Sequence, residues 1–283
     1  MKVLQKDEQM TAETVLLRYL PKSFQVYGYL YAYNRNKPSS IQVIVDTWPD
    51  FKVIICRPDP QKKHTSDWTK VVTFYCLDEK ILRKMLLEED TIDWSTYFII
   101  GGHDNSHTAM LKEVSSQRQL SYKHRACAHL LYLPDSSHLL YIIYILFFSY
   151  SDLKSRITSL DLSHAHLVNQ TWKFGGDEIG YKRIIRQISY FPSCCIIDGQ
   201  GQPVSWLLLY EYLAMGMLYT LPEHRQKHYA TVLVYTMAQR LLAEGYPVFC
   251  YIEEDNMVSN KLVKSLGLIE DPSYREIWVA INT

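Results

Sequence analysis

The residues best suited to chemistry lie in one segment, Thr220 to Gly245, TLPEHRQKHYATVLVYTMAQRLLAEG. A short strand-like run, Met217 to Thr220, ends at Leu221-Pro222. The chain then passes through Arg225, Gln226, Lys227 and His228 into Tyr229, Ala230 and a long amphipathic pattern that Gly245 stops. A helix start leaves its first N–H groups without partners inside the helix, and the helix dipole makes that end positive. With Arg225 and Lys227 alongside, the segment predicts an anion-binding site.

The rest of the chain must position that site. At 283 residues it is long enough for one large domain or two ordinary ones. A formal net charge of +0 implies no broad basic surface, which argues against nucleic acid as a partner. The 22 tyrosines fit half-buried strand and groove surface. Six cysteines are scattered, and none forms a metal-type Cys-x-x-Cys pair. They read as reduced core thiols of an intracellular protein. The first residues mix both charge signs and resemble neither a secretory signal nor a transit peptide. Leu139 to Tyr150 is the one long apolar run, too short for a bilayer span and readable as a buried strand or packing segment. His164 and His166 flank a helix start without a third ligand, so no metal site is expected.

The pattern of elements predicts an α/β protein. In the first half, Thr11 to Tyr19, Asp78 to Glu89 and Ser106 to Leu120 read as helices. Val26 to Tyr33, Ile41 to Val45, Lys52 to Cys56, Val71 to Cys76, Tyr97 to Ile100 and Cys127 to Leu133 read as strands. In the second half, helices at Ala165 to Phe174 and Asp177 to Ser189 precede a strand at Ser193 to Ile197 and a turn at Asp198 to Gly201. Strands at Pro203 to Tyr210 and Ala214 to Tyr219 lead to the long helix. A strand at Val248 to Ile252, a helix at Met257 to Leu266 and a last strand at Glu276 to Ile281 follow. No internal repeat is visible in the sequence.

The spacing Arg225, His228, Ala230 resembles the pyrophosphate loop of the GCN5-related N-acyltransferases, with His228 where the family places its central glycine. Asn256, Ser259, Leu262, Leu266, Gly267 and Leu268 resemble the family's segment after the fifth strand. VYGYLYAYNRNKP, VDTWPDFKVIICRP, IDW, LSHAHLVNQTWKFGGDE, FPSCCIIDGQGQPVSW and YTLPEHR together are similar to the glycine N-acyltransferases. That resemblance implies a two-domain α/β enzyme. Residues 1–150 would form a domain of related or degenerate type, and 151–283 a GCN5-related N-acyltransferase fold with a mixed central sheet. It also implies transfer of an acyl group from coenzyme A to the amine of glycine or glutamine, by direct attack through a tetrahedral intermediate. Acyl-CoA is then a co-substrate, with no permanently bound cofactor, no membrane span and an open oligomeric state. Mitochondria are the implied compartment, with cytoplasm or endoplasmic reticulum as alternatives.

Carried over residue by residue, the resemblance turns backbone N–H groups at Leu218, Tyr219, Thr220 and Leu221 toward the thioester carbonyl. Arg225, Gln226, Lys227, His228, Tyr229 and Ala230 would hold the pyrophosphate, and Asn256 would bond the pantetheine arm or cap its helix. The family's proposed base falls at Ala214, and its phenolic acid at Val263. Glu211 is then the candidate base or an exposed hairpin charge, with His224 and Glu253 as further candidates. Trp172, Gly175, Gly176, Asp177 and Glu178 border the acceptor side, or end one helix and cap the next. The substitutions at Ala214, His228 and Val263 support a second reading, a weak or inactive relative that binds acyl-CoA or a protein partner.

Overall fold

Asp78 shows how this sequence starts a helix: its carboxylate accepts from the N–H groups of Lys80 and Ile81 at 2.9 and 3.3 Å. Apolar residues at Leu82, Met85 and Leu86 then recur at helical spacing and are buried. The structure, a computed structural model, describes residues 1–62, 70–137, 139 and 151–283. Apart from the buried Leu139, the apolar run 139–150 lies outside the described residues.

The described residues pack as two units, 1–129 with 272–283, and 130–271. The division expected from sequence, at 150/151, falls at the edge of the undescribed stretch. The first unit holds β1 (Lys2–Val3), α1 (Lys6–Leu16), α2 (Phe24–Asn34), β2 (Ile41–Val45), β3 (Val53–Pro58) and β4 (Val71–Cys76). It continues with α3 (Glu79–Leu87), β5 (Phe98–Asp104), α4 (Thr108–Gln117) and β6 (Tyr122–Tyr132), whose last residues belong to the second unit. The strands order as β1-β2-β3-β4-β5, antiparallel except for the parallel β4–β5 pair. The strand beyond β5 is the last of the chain, β12 (Ile269–Ile281), paired antiparallel. Its core gathers Ile44, Val53, Ile55, Phe74, Leu82, Leu86, Ile100, Leu111 and Val279.

One element departs from the sequence reading. Val26 to Tyr33, expected as a strand, lies within helix α2. Alternating tyrosines carry high β propensity, but α2 is buried on nearly all sides, so no polar stripe marks its helical period. β12 also begins at Ile269, earlier than Glu276, because pairing partners rather than local pattern decide where a strand starts.

The second unit holds α5 (Ser151–Lys154), β7 (Ile157–Thr158), α6 (Ala165–Thr171), α7 (Glu178–Tyr190), β8 (Ser193–Ile197), β9 (Pro203–Leu209) and β10 (Met215–Thr220). α8 (Tyr229–Ala243), β11 (Phe249–Glu253) and α9 (Met257–Ser265) complete it. Its strand order is β7-β8-β9-β10-β11, antiparallel up to β10 and parallel between β10 and β11, with β6 beyond β11. Trp206, Leu208, Cys195, Ile184, Val168 and Leu160 pack together beneath the sheet. α8 ends as its glycine predicts: Gly245 has φ 74°, and Tyr246 and Gly245 donate to the carbonyls of Leu241 and Leu242.

One order of elements occurs twice along the chain: strand, two helices, three strands, helix, strand, helix, strand, from β1 to β6 and again from β7 to β12. This repeat of topology has no counterpart in the sequence. Among the described residues, no helix is long and apolar enough to cross a membrane.

Candidate functional site

β10 is the strand that opens the second unit. Gly216 faces Leu208 and Tyr219 faces Trp206, so Met217 and Leu218 together stand opposite Leu207. That is a β-bulge, and Met217 takes φ 55° to make it. Gly216 is required beside it: a Cβ there would lie 2.2 Å from the Tyr210 ring. On its other edge β10 is registered with β11 through Met215 and Cys250. Beyond that pair the two parallel strands part, and a cleft of about 580 Å³ fills the gap, within the range of small-molecule sites. Trp172, Phe174, Tyr210, Tyr219 and Tyr251 give it aromatic walls.

The sequence-predicted residues divide between wall, loop and frame. Leu218 and Tyr219 line the cleft. The bulge takes Met217 and Leu218 out of the regular ladder with β9. Leu221 is different: its N–H already donates to Val204 O at 3.0 Å. Thr220 receives Arg225 Nε at its carbonyl and meets Ser205 Oγ through its hydroxyl. Ser205 is buried in that contact, away from any nucleophilic role.

After Pro222 to His224 form a short turn, Arg225 to His228 carry the chain into α8. Gln226 and His228 both have left-handed backbones, φ 62° and 57°. The family's glycine position is therefore left-handed here too, and an imidazole-bearing residue holds it at a cost of roughly 1 kcal/mol. Arg225, Gln226, Lys227 and His228 are exposed, while Tyr229 is buried. The Arg225 guanidinium lies over the Tyr219 ring at 5.6 Å. His224 stacks on Tyr229, whose hydroxyl is 3.5 Å from Arg156. No side chain caps α8, and its first turn holds no acidic residue. The amides through Ala230 thus point out of a helix end that carries positive potential.

Glu211 sits in the turn between β9 and β10, outside the cleft lining, with its carboxylate 3.0 Å from the Arg183 guanidinium. Arg183 is buried and lies over both Trp172 and Tyr210, at 5.4 and 5.2 Å. The pair holds two cleft walls from behind. Ala214 is buried in the same turn and accepts from Tyr210 N–H, and Val263 contributes an apolar wall. Asn256 lines the cleft and caps α9 through Oδ1, which accepts from Ser259 N–H at 3.1 Å.

Asp177 caps α7 through Gly180 N–H, and Asn169 bonds Gly176 N–H and Asp177 O. Trp172 instead lines the cleft, and so does Lys173, which the sequence reading passed over. Lys173 pairs with Glu253 at the end of β11. The signal was absent locally, because the partners are 80 residues apart. Cys250 also lines the cleft, but burial pushes its thiol up to about 12, so it stays protonated and unreactive toward a thioester.

Comparison with known proteins agrees with this geometry. The family model described as "Aralkyl acyl-CoA:amino acid N-acyltransferase" matches residues 1–192, and that of its C-terminal region matches 194–281. The glycine N-acyltransferase of Bos taurus is 30% identical over 94% of each chain. An X-ray structure of a Drosophila protein superposes with a TM-score of 0.73 at 17% identity, covering 99% of this chain and 97% of the other. A tandem GNAT protein from the clavulanic acid biosynthesis pathway superposes with a TM-score of 0.50 at 12% identity, over 98% and 96%. The latter two likenesses concern the fold, which is of the GCN5-related type. The parted strands, the bulge and the matched models over nearly the whole chain lead to one conclusion: this protein belongs to the aralkyl acyl-CoA:amino acid N-acyltransferase family.

Proposed function

We propose that the β10–β11 cleft transfers the acyl group of a coenzyme A thioester to the amine of glycine, with glutamine as the next acceptor. The observation that carries this reading is the bulge facing a parted pair of parallel strands. It sets the backbone of Met217 and Leu218 beside a slot that suits a pantetheine arm. The amine nitrogen attacks the thioester carbonyl carbon, and the carbonyl π pair moves to oxygen. The Met217 and Leu218 N–H groups stabilise that oxyanion. The C–S bond then breaks, and the proton lost by nitrogen ends on the coenzyme A sulfur. With the Cys250 thiol held protonated, direct attack is favoured over an acyl-enzyme.

Arg225, Lys227 and the first amides of α8 receive the pyrophosphate in this reading. Asn256 uses Oδ1 as a cap, which leaves its NH2 group to donate to a pantetheine carbonyl. Glu211, engaged by Arg183, shapes the turn. The test uses purified protein, benzoyl-CoA and an amino-acid panel, reading thiol release and N-acyl product by mass spectrometry. Glycine-dependent release with N-benzoylglycine formed is expected. Coenzyme A binding without release for any amino acid would favour the second reading, a relative that binds acyl-CoA without turnover. That reading draws on the imidazole at His228 and the missing carboxylate at Ala214.

A further inference from the structure

An amino acid is a zwitterion, and a cleft that takes it from water must offer a partner to each end. Among the described residues that line this cleft, three carry charge: Lys173, Glu253 and Asp255. Lys173 is the one cation among them, and it is bonded to Glu253. We propose that Lys173 and Glu253 are the acceptor's docking pair: they exchange their bond to each other for bonds to the carboxylate and the ammonium of a small α-amino acid. This rests on the acyl-transfer reading above.

Position supports the assignment. Met215 and Cys250 are the registered pair at the base of the parting strands. Glu253 lies three residues along β11 from Cys250, and the bulge at Met217 and Leu218 follows Met215 along β10. Glu253 and Leu218 both line the cleft, one from the β11 side and one from the β10 side. An ammonium held by Glu253 sits on the β11 side of the cleft and gives one proton to solvent water before its nitrogen attacks the thioester carbon.

The energetics also suit exchange. The Lys173 side chain is 64% exposed and that of Glu253 25%, and ion pairs this open contribute little to folding. Their bond is thus readily replaced by two bonds of the same kind to a zwitterion. Glu253 raises the Lys173 pKa, keeping the ammonium charged at neutral pH. The loop beneath Lys173 is built to hold still. Asn169 clamps it through Gly176 N–H at 3.2 Å and Asp177 O at 3.0 Å. Gly175 lies so close to the Asn169 carbonyl, 2.4 Å from where its Cβ would be, that no larger residue fits. Lys173 Nζ also lies 5.5 Å from the Phe174 ring, itself part of the cleft wall.

The pair makes a chemical distinction that can be measured. Glycine and glycinamide present the same amine, but only glycine has a carboxylate for Lys173. With one acyl-CoA, the wild type is expected to favour glycine in kcat/KM. Lys173→Met should raise the glycine KM by about 10- to 100-fold, the size of one charge-assisted hydrogen bond. It should bring the two acceptors to near parity and leave the acyl-CoA KM unchanged. Lys173→Arg should keep most of the preference. Glu253→Gln should raise the KM of both acceptors alike, since both carry the ammonium. A glycine preference that survives Lys173→Met overturns the docking pair while acyl transfer stands. A wild type that acylates neither acceptor overturns both. The exposed site of Lys173 makes loss of folding an unneeded explanation, and an unchanged melting temperature checks it.

Discussion

Strand β4 enters helix α3 through Leu77 and Asp78, whereas β10 enters α8 through the longer stretch from Leu221 to His228. The two junctions occupy the same step in the repeated order of elements. At α3 the Asp78 carboxylate accepts two first-turn N–H groups, and Glu79 adds a second negative charge. At α8 no side chain caps the helix, and the approach carries Arg225 and Lys227. The strands differ in the same sense. β4 keeps an unbroken register with β3 from Val53–Cys76 to Cys56–Thr73, and joins β5 through Val71–Ile99 and Val72–Ile100. β10 carries the bulge and joins β11 at Met215–Cys250. In the first unit, Phe74 and Ile100 are part of the closed core, with Phe74 stacked on His103 at 6.0 Å. One topology thus places Phe74 and Ile100 in a core in the first unit and a cleft beside β10 in the second. One order of elements therefore carries a capped, acidic helix start at one place and an uncapped, basic one beside a bulged strand at the other.

The comparison can be broken most sharply by charge. Arg225→Glu combined with Lys227→Glu should weaken coenzyme A binding at least ~100-fold, as two charge-assisted contacts become repulsive. Both side chains are exposed, so the melting temperature should hold. Calorimetric titration and a thermal melt check the two statements.

A smaller effect comes from giving α8 the chemistry of α3. His228→Asp places a carboxylate where the pyrophosphate belongs and should cost about 10- to 100-fold in coenzyme A affinity. His228→Gly removes side-chain bulk and left-handed strain together. It should tighten coenzyme A by about 2- to 5-fold, with little net change in stability, because glycine's extra unfolded-state entropy offsets the strain it relieves. Equal affinities across the series would mean that His228 does not meet the ligand. The smallest expected effect on binding is at the capped helix start. Asp78→Ala should destabilise the protein by about 1 kcal/mol through loss of the cap, lowering the melting temperature by about 2–4 °C. Coenzyme A affinity should stay as in the wild type.

What the sequence made legible was mostly local. Pro222, the basic residues after it and the apolar period to Gly245 mark the α8 start and end with no knowledge of the rest of the chain. Asp78 and Asp177 mark caps in the same way, and both are found as such. The bulge was not legible, because nothing in Met-Gly-Met-Leu-Tyr-Thr signals an extra residue; it exists only relative to β9. The helix α2 was misread because burial on nearly all sides removes the polar face that would have marked its period. The repeated topology was hidden because corresponding steps carry different residues, such as Asp78 at one helix start and His228 at the other. Glu211 was legible as a carboxylate near the site, but its commitment to Arg183 depends on a helix far away in sequence. Lys173 stood inside a block that the resemblance covered, yet only the fold brings it to Glu253.

In the proposed reaction the open helix start, and not the capped one, receives the coenzyme A pyrophosphate. Amide hydrogen exchange of the whole chain, with and without coenzyme A, tests it directly. New protection is expected at Tyr229 and Ala230 and across the bulge at Met217 and Leu218, with exchange at Lys80 and Ile81 unchanged. Protection at α3, or none at α8 under saturating coenzyme A, would contradict it.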